Sequence, residues 1–408
     1  MDYKAARDML AELTVPVTAE RAALENSAGR ILAFRLVAAD NVPAFDRSPY
    51  DGYAFRAKDS ENASEGHPVT LKILEEVPAG AVPSMQVSKG TATKILTGAP
   101  IPQGADAVVM YEKTSFTETD VTLYGSFSPG ENIIHAGEDV KKGAVLAEPG
   151  SVIDPGLAGT LAAQGEAEPL VYRKPVVGII STGSELVETG KETPEKHPCP
   201  EGKIFNSNRY TLAAALQKDG CIPLYLGIAP DSVQKISELI TEGFSKDCDM
   251  IVLTGGVSAG DYDLTPKAME AAGCRLLARG VLIKPGMACC YGVLNEKLVC
   301  ALSGNPASSL TNYYAVVRPS VRKLAGLSKY CPQEFTVTLA DDFKKKSKVP
   351  RILKGRLEFT EDAGALMRIP QDQGNVMISS SIGCDIMAEV PAGAGSLVAG
   401  TKLKGFLI

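Results

Sequence analysis

Histidine is nearly missing from this chain: His67, His135 and His197 are the only three among 408 residues. They share no catalytic or ligand spacing, which argues against a zinc site and a Ser-His-Asp triad. The nine cysteines contain no CxxC; Cys199, Cys221, Cys248, Cys274, Cys300, Cys331 and Cys384 stand singly, and the adjacent Cys289 and Cys290 cannot close an unstrained mutual bridge. Buried thiols in a reducing compartment are expected. The chain also lacks any run of about 18 apolar residues, and the opening segment MDYKAARDMLAELTVPVTAE mixes charge into every turn. Neither a membrane span nor a signal peptide is expected, and the protein reads as cytoplasmic with no membrane partner. A surplus of basic residues is absent too, because 42 Lys and Arg face 48 Asp and Glu for a net charge of -6. That excludes the broad basic footprint of a nucleic-acid partner, so an anionic ligand has to be held locally. Neither GxxxxGKS/T nor GxGxxG occurs, which weakens ATPase and dehydrogenase readings.

What remains is an ordinary globular composition, 45% hydrophobic and 22% charged, on a chain too long for one core. At roughly 100 to 200 residues per domain, about two to four domains are expected. Residues 2 to 14 and 18 to 28 read as short helices, the second ending at Gly29. From about Val42 to Leu146 short β-rich runs (VTLKILEEV, TATKILTG, DAVVMYE, DVTLYGSF) alternate with Gly, Pro and Ser, as in a compact antiparallel insertion with its own core. Helical texture returns at residues 155 to 164 and turns strand-like before Pro175. Beyond it the chain alternates: strand VVGIIST, helix 209 to 218, strand PLYLGIA, helix 233 to 244, strand MIVLTGG, helix 266 to 272, strand 281 to 283, then ACALSGNP leading a helix from 306 to about 324. Strands without polar alternation are covered on both faces, so this is a doubly wound parallel α/β domain. Residues 330 to 408 return to β texture (FTVTLA, ILKGRLEF, ALMRIP, NVMISSS, DIMAEVP, KLKGFLI), enough for a small barrel or sandwich.

In such a sheet, ligands sit beyond the carboxyl ends of the strands. Three loops there are chemically marked: Ser181-Thr182-Gly183-Ser184-Glu185; Thr254-Gly255-Gly256-Val257-Ser258-Ala259-Gly260-Asp261-Tyr262-Asp263; and Ser303-Gly304-Asn305-Pro306-Ala307-Ser308. Glycines admit a phosphate or ring to the backbone N–H groups, and acids stand beside them. Each loop alone is also ordinary turn and cap chemistry. Three on one crevice edge favour a site. In the insertion, Asp46 to Ala54 (DRSPYDGYA) joins charge, turn residues and aromatics, whereas Thr97-Gly98-Ala99-Pro100 and Gly137-Glu138-Asp139 are equally readable as plain turns.

These motifs together resemble the molybdopterin molybdenumtransferase (MoeA) family, to which the C-terminal enzymatic domain of gephyrin corresponds. The matching stretches are FDRSPYDGYA (45–54), TGAPIPQGADAVVMYE (97–112), GEDVKKG (137–143), STGSELV (181–187), TGGVSAGDYD (254–263), KPGM (284–287) and SGNPAS (303–308), spanning nearly the whole chain. The resemblance implies a multidomain α/β plus β protein. Residues 1–41 with 140–175 would form a linking and dimerisation domain, 42–139 a β-rich insertion, 176–327 a three-layer doubly wound molybdopterin-binding domain, and 328–408 a β-barrel. It implies a homodimer whose active site draws on the α/β domain of one subunit and the insertion of the other. The activity implied is insertion of molybdate into adenylylated molybdopterin, with Mg²⁺-dependent cleavage of the pyrophosphate bond and release of AMP.

Under this resemblance the catalytic set is Asp51, Thr97, Asp139, Glu185, Asp231, Asp261 and Asp263, with Asp51, Glu185, Asp261 and Asp263 holding Mg²⁺. An oxygen-rich set of this kind would repel a pyrophosphate and molybdate unless divalent cations intervened. Substrate contacts fall on Thr182, Gly183, Ser184, Gly255, Gly256, Ser258, Gly260, Gly304, Asn305 and Pro306, and the oxyanion pocket on Lys284, Pro285, Gly286 and Ser308. Arg351, Lys354 or Arg356 and one of Ser379 to Ser381 are candidates to complete that pocket. The chain departs from the family's usual KPGKP and PGNP by having Met287, Ala288 and Ser303. A lysine expected upstream of Lys284 is also missing, with Gly280 in its place and Arg279 beside it. Loss of a cation touching the oxyanion is worth about 1 to 3 kcal/mol unless another replaces it. Two rival readings follow: a molybdopterin adenylyltransferase, which leaves the insertion without a task, and a non-catalytic pterin-binding scaffold, which the altered pocket permits.

Overall fold

Apolar runs with no polar alternation form the centre of a six-stranded sheet. In the computed structural model, which describes residues 1–190, 199–257, 264–361 and 364–408, its strands run in the order Ile222–Ala229, Val176–Thr182, Met250–Thr254, Lys297–Leu302, Cys289–Leu294, Arg275–Arg279. Alternate side chains of the central strands feed two separate cores. Val177, Ile179, Val252 and Cys300 pack on one side, and Ile180, Ile251, Leu253, Val299 and Ala301 on the other. The first core is closed by Leu212 and Leu216 of helix Ser207–Lys218 and by Tyr313, Val317 and Val321. The second is closed by Ile236 and Ile240 of helix Val233–Ser245 and by Ala268 and Met269 of helix Thr265–Ala271. Each fully buried isoleucine contributes about 1.5 to 3 kcal/mol, which outweighs the modest helix propensity of its sequence. Gly178 and Gly243 let the helix Val233–Ser245 approach closely, because a Cβ on either would stand 2.9 or 2.7 Å from Leu226 Cδ1.

The sheet is parallel only over its first four strands. Cys289–Leu294 pairs antiparallel with both Lys297–Leu302 and Arg275–Arg279. The expected strand at 281 to 283 is therefore absent, and Arg275–Arg279 takes the edge position. Val281 and Ile283 are still buried, but the backbone of this segment is committed elsewhere: Val281 N donates to Met287 O at 3.1 Å, Leu282 N to Met1 O at 2.8 Å, Ile283 N to Val281 O at 3.0 Å and Lys284 N to Pro350 O at 2.9 Å. The expected helix 306 to 324 is interrupted by a π-helical turn, Tyr313–Val317, between Pro306–Asn312 and Arg318–Leu324.

Two compact units make up the chain. The first comprises Met1–Phe34, Pro149–Asp154 and Leu170–Ile408 and holds the α/β sheet together with a closed five-stranded barrel. The barrel runs Phe335–Leu339, Gly364–Arg368, Arg351–Thr360, Ile386–Val390, Lys402–Leu407, around Val337, Leu353, Met367, Ile386 and Ala388. The run NVMISSS is not one of its strands. Ser380 Oγ donates to Met377 O at 2.6 Å and the Lys354 ammonium to the same carbonyl at 2.8 Å, and these local bonds fold the segment into turns. At the N-terminus only Tyr3–Glu12 is an α-helix. The expected helix 18 to 28 is instead the strand Ala19–Arg21 followed by a single helical turn at Leu24–Asn26. Pairing of Ala19–Arg21 with Leu170–Tyr172, remote in sequence, overrides the local helix propensity of its Ala, Glu and Arg.

The second unit, Arg35–Glu148 with Pro155–Pro169, is built on a six-stranded sheet in the order Ala107–Met110, Gly52–Phe55, Thr91–Ile95, Val69–Val77, Asp120–Leu123, Thr114–Phe116. Tyr53, Phe55, Leu71, Val109, Val121 and Leu123 form its core. Gly52 is required where it stands, since a Cβ there would collide with Val109 O of the neighbouring strand. No helix among the described residues is long and apolar enough to cross a membrane. All nine cysteines are free, and Cys221, Cys248, Cys274, Cys289, Cys290 and Cys300 are buried.

Candidate active site

The loops that follow three adjacent strands meet at the carboxyl edge of the α/β sheet and enclose a cavity of about 670 Å³. Thr182, Gly183 and Glu185 line it from the first loop, Gly255 and Gly256 from the second, and Ser303 to Pro306 from the third. The loops are stitched together below it: Thr182 Oγ1 donates to Thr254 O at 3.1 Å, Thr265 Oγ1 to Gly255 O at 3.0 Å, and Gly255 N to Leu302 O at 3.0 Å. Gly255 (φ +101°) and Gly256 (φ +62°) lie in the region that favours glycine. A Cβ on Gly304 would be 3.5 Å from Gly255 Cα, so two bare backbones face one another at the cavity wall. Such a surface admits a flat ring or a phosphate to backbone N–H groups.

The acidic end of the cavity carries Glu185 and Asp231. Asp231 Oδ2 accepts from Ser184 N at 3.1 Å, which fixes the first loop against the strand Ile222–Ala229. Glu185 folds back over Gly183, where a Cβ would collide with its carboxylate. The Glu185 carboxylate accepts no hydrogen bond from any described residue. Ser184 itself is not among the residues that line the cavity; its carbonyl accepts from Lys203 Nζ at 2.6 Å.

Asn206 and Asn208 also line the cavity, and the sequence reading did not single them out. Asn206 caps the helix Ser207–Lys218 and takes Ser181 Oγ at 3.1 Å. Its amide donates to Glu188, which is further held by Tyr225 and Arg209, and these donors keep the Glu188 carboxyl below the usual carboxylate range against the opposing effect of burial. Asn208 Nδ2 donates to Gly304 O at 2.8 Å, while its Oδ1 is buried with no partner among the described residues. A buried amide oxygen left unpaired is costly, so a ligand donor has an evident place here. Asn-Ser-Asn at the start of a helix, its first residue the cap, was the available signal.

A second cavity of about 380 Å³ adjoins the first and shares Ala288, Ser303 and Asn305 with it. Lys284, Pro285, Gly286 and Ser308, the four residues the resemblance assigns to an oxyanion pocket, are brought together in its lining. Gly286 (φ +104°) is pressed against Ser308 O, 3.0 Å from where its Cβ would be, and its carbonyl accepts from Asn312 Nδ2 at 2.9 Å. Arg351 comes in from the barrel on a backbone bridge to Lys284, with Ile352 N donating to Lys284 O at 2.8 Å. Its Nε is buried without a hydrogen-bond partner among the described residues, and burial holds its pKa below the ordinary arginine value. Lys345 lines the same space, so three cations surround it despite Met287 and Ala288. Of the other barrel candidates, Lys354 Nζ is taken by Met377 O and by Ser381 Oγ at 3.0 Å, and Arg356 by Ile382 O at 3.2 Å.

In the other unit Asp51 and Thr97 are brought together. Asp51 Oδ1 accepts from Thr97 N and Thr97 Oγ1, each at 2.7 Å, and these donors hold its carboxyl below the usual range. Asp139 is exposed in a turn whose backbone N–H donates to Val42 O at 3.0 Å. Asp46 braces the preceding residues, accepting from Ala136 N at 2.7 Å and standing 3.2 Å from His135 Nδ1. Ser258, Gly260, Asp261 and Asp263 lie outside the described residues.

Residues 1–165 match the family model described as the MoeA N-terminal region (domain I and II), and residues 178–323 the one described as a probable molybdopterin binding domain. A molybdopterin molybdenumtransferase of Staphylococcus aureus (strain COL) is 36% identical over 384 residues, 93% of this chain and 88% of that one. One of Bacillus subtilis (strain 168) is 38% identical over 357 residues, 86% of this chain and 80% of that one. Among solved structures, the molybdopterin biosynthesis MoeA protein of Pyrococcus horikoshii OT3 superposes with a TM-score of 0.84 at 32% identity, covering all of both chains. The chain belongs to the molybdopterin molybdenumtransferase, or MoeA, family.

Proposed function

We propose that this chain carries out the reaction of its family, transfer of molybdenum to molybdopterin, at the paired cavities of the α/β sheet. The substrate is the adenylylated pterin, and AMP is the second product. The observation that supports this best is the continuity of two unlike spaces, one with carboxylates over a glycine floor and one with Lys284, Lys345 and Arg351. A phosphoanhydride suits the first and a tetrahedral oxyanion the second. The glycine loops bind and orient the nucleotide and pterin, Asn208 accepts a hydrogen bond from the ligand, and Arg351 with Lys284 holds molybdate next to the pterin sulfurs. Pre-positioned donors and charges of this kind act without reorganisation at the moment of reaction.

The donor set also fits Mg²⁺. Two carboxylates, Glu185 and Asp231, line the larger cavity, and Mg²⁺ is bound through about one or two carboxylates together with substrate phosphates and waters. Glu185 has no hydrogen-bond partner to give up among the described residues. Asp261 and Asp263 remain further candidates from the resemblance, as does Asp51, oriented by Thr97. When bound, Mg²⁺ neutralises charge developing on the scissile phosphoanhydride. A homodimer in the cytoplasm is part of the same proposal, to be checked by sedimentation and fractionation.

An adenylyltransferase is not favoured, because the likeness to molybdenumtransferases runs over 93% of the chain and includes residues 1–165. The test is a single-turnover assay with adenylylated molybdopterin, Mg²⁺ and molybdate. AMP release with formation of active cofactor is expected; intact substrate after prolonged incubation would leave only a pterin-binding scaffold.

A further inference from the structure

The carboxyl edge of the sheet accounts for the family reaction, but the amino edge carries a cavity that this reaction does not use. It encloses about 270 Å³ and is bounded by Arg173 to Pro175, just ahead of the strand Val176–Thr182, and by Lys218 to Gly220, just ahead of the strand Ile222–Ala229. Arg30, Arg318 and Arg322 complete its charged lining, so six cations face the space with Asp219 as the one acid among the lining residues.

Most of these cations are committed. Arg173 makes a two-pronged bond to Asp249 at 2.7 and 2.7 Å. Arg318 Nε is 2.8 and 3.0 Å from the two oxygens of Asp219, which also accepts Tyr313 OH at 2.7 Å. Arg30 pairs with Glu20, and Lys218 Nζ donates to the carbonyl of Ile408 at 2.6 Å. The side chains of Arg322 and Lys174 have no hydrogen-bond or ion-pair partner among the described residues. Arg322 is half-buried, and burial together with the neighbouring Arg318 guanidinium lowers its pKa. An unpaired, partly desolvated guanidinium costs stability unless something compensates it, and a hydrophobic residue of similar size would not incur that cost. Packing alone therefore does not explain the placement.

We infer that this cavity is a second, non-catalytic binding site for a small anion carrying one or two phosphate groups, held by Arg322 and Lys174 with Lys218 and Arg318 at its walls. Its volume is below the range of about 300 to 1,000 Å³ usual for drug-sized ligands, which suits inorganic pyrophosphate or the phosphate end of a nucleotide. A forked guanidinium and a mobile ammonium are the usual pair for gripping phosphate oxygens.

The test is calorimetric titration of the full-length protein, free of Mg²⁺ and at low salt, with inorganic pyrophosphate in one arm and ADP in the other. The arm that binds tighter identifies the source of the phosphate. Arg322→Gln is expected to weaken that event by about tenfold or more, the effect of losing one charge-assisted contact, and Lys174→Gln by a smaller factor. Both variants should keep AMP release unchanged, whereas Lys284→Gln should leave this binding event intact. The inference is overturned if neither probe binds, if both Arg322→Gln and Lys174→Gln bind like the unaltered protein, or if Lys284→Gln alone removes the signal. Should Arg322→Gln fail to fold, the exposed Lys174 decides the matter.

Discussion

Thr182 and Gly255 touch at the floor of the larger cavity: both the carbonyl oxygen and Oγ1 of Thr182 stand 2.5 Å from the position a Cβ on Gly255 would occupy. Two strands that are neighbours in the sheet thus end in loops whose backbones are in contact, and the ligand-facing wall between them carries no side chain at this point.

Gly255→Ala should therefore be damaging on two counts, a backbone at φ +101° that L-residues rarely adopt and a collision with backbone that cannot swing away. A loss of about 2 to 4 kcal/mol is expected from urea unfolding, with AMP release reduced further because the wall bulges into the cavity. Gly66→Ala is the control, since nothing lies within 4 Å of its Cβ position. Equal stability of the two variants would contradict the close approach.

Glu185 presents the opposite case, a carboxylate at the cavity with no hydrogen-bond partner among the described residues. Glu185→Gln should change folding stability by no more than about 0.5 kcal/mol. Turnover should drop by about 100-fold, with a higher Mg²⁺ requirement, as expected when one group stabilising transition-state charge is lost. Titration of AMP release against Mg²⁺ separates the two effects. An unchanged Mg²⁺ dependence would remove Glu185 from the cation site.

Arg351 is expected to bind the oxyanion through its fork as well as its charge. Arg351→Gln should raise the molybdate concentration needed for half-maximal cofactor formation by about tenfold or more. Arg351→Lys should recover only part of this, because an ammonium cannot reproduce a two-pronged contact. Steady-state assays over a molybdate series at saturating pterin check both. Full recovery by lysine would reduce the role to point charge.

The larger part of the fold was legible from periodicity. Strands such as Val176–Thr182 and Met250–Thr254 are buried on both faces and read as continuous apolar runs, and helix Val233–Ser245 repeats its apolar residues at helical spacing. What escaped was decided by distant partners: Ala19–Arg21 is a strand only because Leu170–Tyr172 pairs with it, and Val281 and Ile283 are buried without a ladder. In the site, the glycine loops announced themselves because few residues tolerate their backbone. Asn208 and Lys345 did not, since an asparagine near a helix start and a lysine in a Lys-rich loop (KKKSK) each have an ordinary reading in sequence. Their place beside the cavities depends on a helix–loop contact with Gly304 and on the barrel meeting Lys284.

Buried thiols provide the last expectation, a stability that falls at alkaline pH. Burial pushes Cys248 and Cys274 up to about 11 from an ordinary value of 9.0. The folded state therefore holds these protons more tightly than the unfolded chain. Below pH 9 both states are protonated and the two thiols contribute no pH dependence. Between about pH 9 and 11 the unfolded chain ionises first, so stability declines across that window by about 1 to 3 kcal/mol for each thiol. Urea midpoints at about pH 8 and pH 10.5 should show a smaller drop for the doubly substituted Cys248→Ala, Cys274→Ala protein than for the unaltered chain. Identical drops would mean that these thiols ionise as freely folded as unfolded, contrary to their burial against Ile251 and Met269.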